Sequence, residues 1–175
     1  PFASGKTTLL EAILARTGGI SRAGSIAAKS TVGDNTPEAR EHAMSVGVNV
    51  ADVSFLDDKL TIIDCPGSVE FAYEGMLALP ACDMAVVVCE ADPKRVAALQ
   101  VILKQLEDAE IPHLIFLNKI DSSQTPLRDV IPSLQPARAK QLVLRQIPNW
   151  ENGIATGFVD LASERAYVYR DPAES

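Results

Sequence analysis

Four short apolar runs rich in β-branched residues constrain the fold most: Val48–Phe55, which alternates, then Leu60–Ile63, Met84–Cys89 and Leu114–Leu117. The first two are separated by Leu56-Asp57-Asp58-Lys59, a plausible hairpin connection. The others alternate with segments of helical pattern, Thr7–Arg16, Val69–Leu79 and Pro93–Ala109. Strands alternating with helices of ~10–15 residues predict an α/β fold, a mostly parallel sheet with helices on both faces. A chain of 175 residues, 47% hydrophobic and 22% charged, is one domain's worth and long enough to bury a substantial core.

Other stretches are less regular. Residues 18–47 carry Gly, Ser, Asn and Pro with weak periodicity, and loops of that length in compact domains are usually functional or mobile. Beyond Ser122 the pattern weakens further. Leu142–Gln146 reads as a strand, "IPNWENGIATG" as a loop, and Phe158–Leu161 with Ala166–Tyr169 as a hairpin.

Composition removes some functions. A net charge of −7 argues against a general basic surface, so free DNA is not an expected partner. The longest apolar runs fall far short of the ~20 residues that span a bilayer, so no membrane partner is expected either. Cys65, Cys82 and Cys89 have no metal-ligand spacing and apolar neighbours, which fits reduced, buried thiols and a cytoplasmic setting. Trp150 reads as a packing residue, and His42 and His113 as incidental to chemistry.

Three motifs stand at or beside the ends of these elements. "PFASGKTT" is a turn leading into a helix, where backbone N–H groups (Ser4, Gly5, Thr8) and the helix dipole favour phosphate. There Lys6 would reach the β- and γ-phosphates and the Thr7 hydroxyl would ligate Mg²⁺. In "IIDCPGSVEF", Asp64 ends a strand and would hold the same Mg²⁺ through water, while Gly67, lacking a Cβ, lets its N–H approach a γ-phosphate. In Asn118-Lys119-Ile120-Asp121 the Asp121 carboxylate would accept both N1–H and N2–H₂ of guanine, a pair adenine does not offer. The Lys119 stem would lie over the ring and Asn118 would tie the loops together. Each motif alone also has a bland reading: a helix cap, a strand-ending turn, a polar loop. In this order, about 55 residues apart, they read together as a site for GTP or GDP.

The chain resembles the GTP-binding domain of translational GTPases, in particular elongation factor G and its close relatives. "GKTTLLEAIL" resembles that family's phosphate loop and first helix, and "DCPGSVEF" its D-T-P-G-H-V-D-F. "VVVCEADP", "IPHLIFLNKID" and "GIATGFVDLASERAYVY" resemble its next strand, its base-reading strand and an insert of this subfamily. The resemblance implies a P-loop NTPase fold and a partial GTP-binding domain over 1–175, with 18–47 as the first switch and about 141–175 as the start of the insert. It further implies that the strand before the phosphate loop is missing, that the piece is cut at both ends, and that the parent protein is a monomer acting on the ribosome. The first switch of the family supplies a Thr to Mg²⁺; Ser45 in "REHAMSV" is the nearest match.

Two departures touch chemistry. Ser68 stands where the family has the His that orients the attacking water, and Ala3 where its phosphate loop carries an Asp. Lys6 and Ser68 are thus the candidate catalytic positions, with slow or altered hydrolysis expected. Alternatives are a nucleotide-gated ribosome-binding module with little turnover, a ribosome-protection factor of the same architecture, and an ATPase that leaves Asn118 and Asp121 idle.

Overall fold

The computed structural model describes residues 3–33, 47–68, 72–92, 94, 96–122, 127–137 and 140–169. Helix α1 spans Lys6–Thr17. It starts from Gly5 and stops at Gly18, whose left-handed φ of 78° turns the chain while the Gly19 N–H closes on the Leu14 carbonyl at 2.8 Å. Its buried stripe is Thr7, Leu10, Glu11 and Leu14, the i, i+3, i+4, i+7 pattern of one helix face. That face packs on strand β1, Asn49–Phe55, where Ala51 and Val53 complete a small core with Leu10 and Leu14.

Strand β1 pairs antiparallel with β2, Asp58–Asp64, from Phe55 opposite Asp58 to Asn49 opposite Asp64. The connection is tighter than the four residues expected. Only Leu56 and Asp57 turn, both left-handed (φ 52° and 68°), as a two-residue hairpin requires, so Asp58 and Lys59 already belong to the strand.

Helix α2, Ala72–Ala78, follows, and then the parallel part of the fold. Strand β3 is Ala85–Glu90, helix α3 is Val96–Asp108 and strand β4 is His113–Asn118, with β3 and β4 parallel and in register from Ala85 opposite His113 to Glu90 opposite Asn118. Leu99, Leu103 and Leu106 of α3 close over Val87 and Cys89, forming the larger core. Helix α4, Leu127–Leu134, adds Val130 and Leu134 to it one turn apart. The sequence did not signal α4, because it is short and carries Pro132 inside.

The stretch "IPNWENGIATG" is a hairpin rather than a loop. Strand β5, Gln146–Glu151, pairs with β6, Ile154–Asp160, across Asn152-Gly153, and β6 pairs with β7, Arg165–Val168, in the hairpin expected there. Asn-Gly supplies both left-handed positions (φ 51° and 79°). A register shift between Asn149 and Trp150 breaks the alternation, and Pro148 sits on the edge strand, where no donor is missed. Leu142–Arg145 form no strand; only Gln146 of that run joins one. Trp150 is 44% exposed, so packing accounts for only part of its surface. All three cysteines are free thiols, Cys89 buried and Cys65 and Cys82 half-buried.

Hydrogen-bonded pairing among the described strands gives three separate groups: β1–β2, β3–β4 and β5–β6–β7. No helix of the described residues is long and apolar enough to cross a membrane.

Candidate nucleotide site

The site is built at the N-terminus of α1. Gly5 is left-handed (φ 91°) and its carbonyl accepts the first helical bond, from the Leu9 N–H at 2.9 Å. Ala3 is also left-handed, φ 54°, a conformation uncommon for residues with a Cβ. Ser4 between them is fully buried. The helix that follows has Lys6 half-buried, Thr7 buried and Thr8 exposed. Loss of water pulls the Lys6 ammonium below the ordinary lysine value, and nearby Asp64 offsets part of that shift.

Asp64 is the last residue of β2 and is buried. Its Oδ2 accepts a hydrogen bond from the Thr7 hydroxyl at 2.8 Å, joining the first two motifs across 57 residues of sequence. A hydroxyl beside a carboxylate is a hard-oxygen pair suited to Mg²⁺. Among the described residues no group of three or more His, Cys, Asp or Glu could hold a metal. Cys65, next in sequence, is an unpromising nucleophile, since burial raises its thiol above the ordinary value. Pro66 is buried, and Gly67 and Ser68 are half-buried in the turn after β2.

The third motif reaches the phosphate loop from the end of β4. Asn118 Nδ2 donates to the Ser4 carbonyl at 2.9 Å. A Cβ on Gly5 would collide with that same nitrogen, so the glycine leaves the space the amide fills. Lys119, left-handed at φ 56°, donates from Nζ to the Ala3 carbonyl at 2.8 Å and to Glu90 Oε1 at 2.5 Å. Asp121 lies in the following turn, Ile120–Ser122, and is exposed. Ser45 and His42 lie outside the described residues. His113 begins β4, at the opposite end of that strand from Asn118.

A family profile described as the elongation factor Tu GTP binding domain matches residues 2–153. The chain belongs to that family. Guanine-nucleotide binding follows from this membership, and the fold is that of the P-loop NTPases. An elongation factor G-like protein of Synechocystis is 43% identical over 169 residues, 97% of this chain and 25% of that protein. The mitochondrial ribosome-releasing factor 2 of Danio rerio is 31% identical, over 97% of this chain and 22% of its own. A crystal structure from Thermus thermophilus matches with a TM-score of 0.86 at 29% identity, over 97% of this chain and 25% of that one. This GTP-binding domain thus spans about a quarter of the length of its relatives.

Two acidic residues near the site escaped the sequence reading. Glu11 is 1% exposed, and its carboxylate accepts the Val32 N–H at 2.6 Å and the Gly24 N–H at 2.7 Å. It fixes the segment after α1 to the helix that carries Lys6 and Thr7, and Ile20 and Val32 pack on the same small core. Its signal was positional: it falls on the Thr7, Leu10, Leu14 face, where an ion needs a partner. Glu11→Gln keeps the volume but points an amide donor at one of two donors. The full-length protein is expected to lose on the order of 3 kcal/mol of unfolding free energy. Hydrogen exchange should locate the loss at the Gly24 and Val32 amides, and unchanged protection there would contradict the role. The second residue is Glu90, whose carboxylate accepts a hydrogen bond from the Lys119 ammonium.

Proposed function

We propose that this chain is the nucleotide-binding part of an elongation factor G-like factor that works on the ribosome and hydrolyses GTP slowly or by an altered geometry. The observation that supports it most is the convergence of three motifs on one helix end: Thr7 bonded to Asp64, Asn118 to Ser4 and Lys119 to Ala3. Residues 18–47 serve as the first switch and about 141–175 as the start of an inserted subdomain, here the β5–β6–β7 sheet.

In this reading the Gly5–Thr8 N–H groups and the Lys6 ammonium hold the phosphates, and desolvation strengthens the attraction of that ammonium for them. Thr7 and Asp64 hold Mg²⁺, which supplies charge neutralisation at the transferring phosphate; Ser45 is the candidate further ligand. Gly67 brings its N–H to the γ-phosphate. Asp121 reads guanine, with Lys119 against the ring and Asn118 keeping the base and phosphate loops in one arrangement. Water activation is where the site is weak. Ser68 has a hydroxyl but cannot become a cation near neutral pH, and Ala3 has no side-chain oxygen to offer a cation beside the phosphates.

The same two residues support a second reading, a nucleotide-gated ribosome-binding module with little turnover. Single-turnover hydrolysis by the full-length protein, with and without ribosomes, separates the two. The proposed reading expects GTP bound in preference to ATP and ribosome-stimulated hydrolysis about 10²-fold or more below an ordinary elongation factor. Hydrolysis undetectable at any ribosome concentration favours the binding module. A rate equal to an ordinary factor's overturns both.

A further inference from the structure

The ends of β3 and β4 lie side by side, with Glu90 in register with Asn118. This places a carboxylate next to the base-reading loop, and Lys119 meets it. The Lys119 ammonium is held at two points, Glu90 Oε1 at 2.5 Å and the Ala3 carbonyl at 2.8 Å. The Glu90 side chain is 19% exposed and that of Lys119 45%, so the pair is more than a fully solvated surface contact.

A free lysine side chain samples many rotamers, and ordering it when a ligand arrives subtracts from affinity. Here the head is held by groups of the protein itself, the Glu90 carboxylate and the Ala3 carbonyl, and the left-handed backbone of Lys119 sets the direction in which the stem departs. The Ala3 carbonyl alone is a neutral acceptor. Glu90 is an anionic one, so its bond adds an ion pair to a donor that is already charged, the strongest kind.

We propose that Glu90 is a positioning residue for guanine-nucleotide binding: by holding the Lys119 ammonium against the phosphate loop, it presets the lysine stem as a surface for the purine. The inference rests on the nucleotide-site reading above. In this scheme Glu90 touches neither base nor phosphate and acts on the purine through Lys119.

The test uses the full-length protein and a fluorescent GDP analogue, comparing wild type, Glu90→Gln, Glu90→Ala, Lys119→Ala and the Glu90→Ala, Lys119→Ala double variant. Stopped-flow dissociation should be about tenfold faster for Glu90→Ala, the scale of one charge-assisted hydrogen bond. Glu90→Gln, which keeps the shape and loses the charge, should fall between it and wild type. In the Lys119→Ala background, Glu90→Ala should add nothing, as expected for a residue acting through that lysine. Effects that multiply independently would overturn the inference, as would a Glu90→Ala rate within twofold of wild type. A fall in the melting temperature of nucleotide-free Glu90→Ala with an unaltered dissociation rate would show a merely structural role and overturn it too. If wild-type protein fails to bind the analogue, the nucleotide-site reading fails and this inference with it; wild-type binding with an indifferent Glu90 removes only the inference.

Discussion

Asp121→Asn is expected to lower the affinity of the full-length protein for GDP and GTP by about 10²-fold and to raise its affinity for xanthosine nucleotides. Donors and acceptors on the two partners set the discrimination. Guanine presents two adjacent donors, N1–H and N2–H₂, and a carboxylate accepts both. An asparagine amide offers one acceptor and one donor, and its donor would face the guanine N2–H₂. Xanthine carries a carbonyl oxygen at that position and restores the match. Bidentate base contacts discriminate by roughly 1–3 kcal/mol, with a further loss when a buried donor is left unpaired. Asp121 is exposed in the turn Ile120–Ser122, so the substitution leaves both cores untouched. Competition of GDP and xanthosine diphosphate against a fluorescent GDP analogue measures the effect. Equal competition by the two nucleotides in wild-type protein would remove Asp121 from the role.

Ser68→His combined with Ala3→Asp is expected to raise ribosome-stimulated hydrolysis by about 10²-fold while changing GTP affinity much less. Ser68 is half-buried four residues beyond Asp64, in the turn that follows β2, and an imidazole there extends farther than the hydroxyl. Ala3 has a left-handed backbone, φ 54°, which aspartate adopts more readily than alanine, so that substitution fits the existing loop. Each single change should give a smaller increase, since the two groups serve different atoms of the reaction. Single-turnover rates with saturating ribosomes provide the readout. A double variant no faster than wild type would mean that hydrolysis here is limited elsewhere.

Much of the fold was legible because its strands announce themselves twice, by apolar runs and by the polar residues that end them. Asp64 and Asn118 are the last residues of β2 and β4, as the motifs require. The hairpin Gln146–Asp160 is concealed in the sequence although Asn152-Gly153 is a strong turn signal, because the shift at Asn149/Trp150 disrupts the period and Pro148 reads as a breaker. The turn at Leu56-Asp57 looks wider in sequence than it is because neither residue is glycine; pairing from Phe55/Asp58 onward holds two side-chain-bearing residues in left-handed conformations. In the candidate site, the residues proposed to meet a ligand can be named from their chemistry in sequence alone. Glu11 and Glu90 cannot, since their partners are the amides of Gly24 and Val32 and the ammonium of Lys119. Proximities of that kind exist only after folding.

The fit of Asn118 into the space left by Gly5 restricts the sequences open to this chain. Any residue larger than glycine at position 5 collides with the amide, and a smaller residue at 118 gives up the bond to Ser4. Changing both does not help, because the φ of 91° at position 5 disfavours a side chain whatever stands opposite. Two positions far apart in the chain therefore share one fate under mutation. Position 5 is held by shape and torsion together and position 118 by its bond to Ser4, so a change at either one loses something the other does not restore.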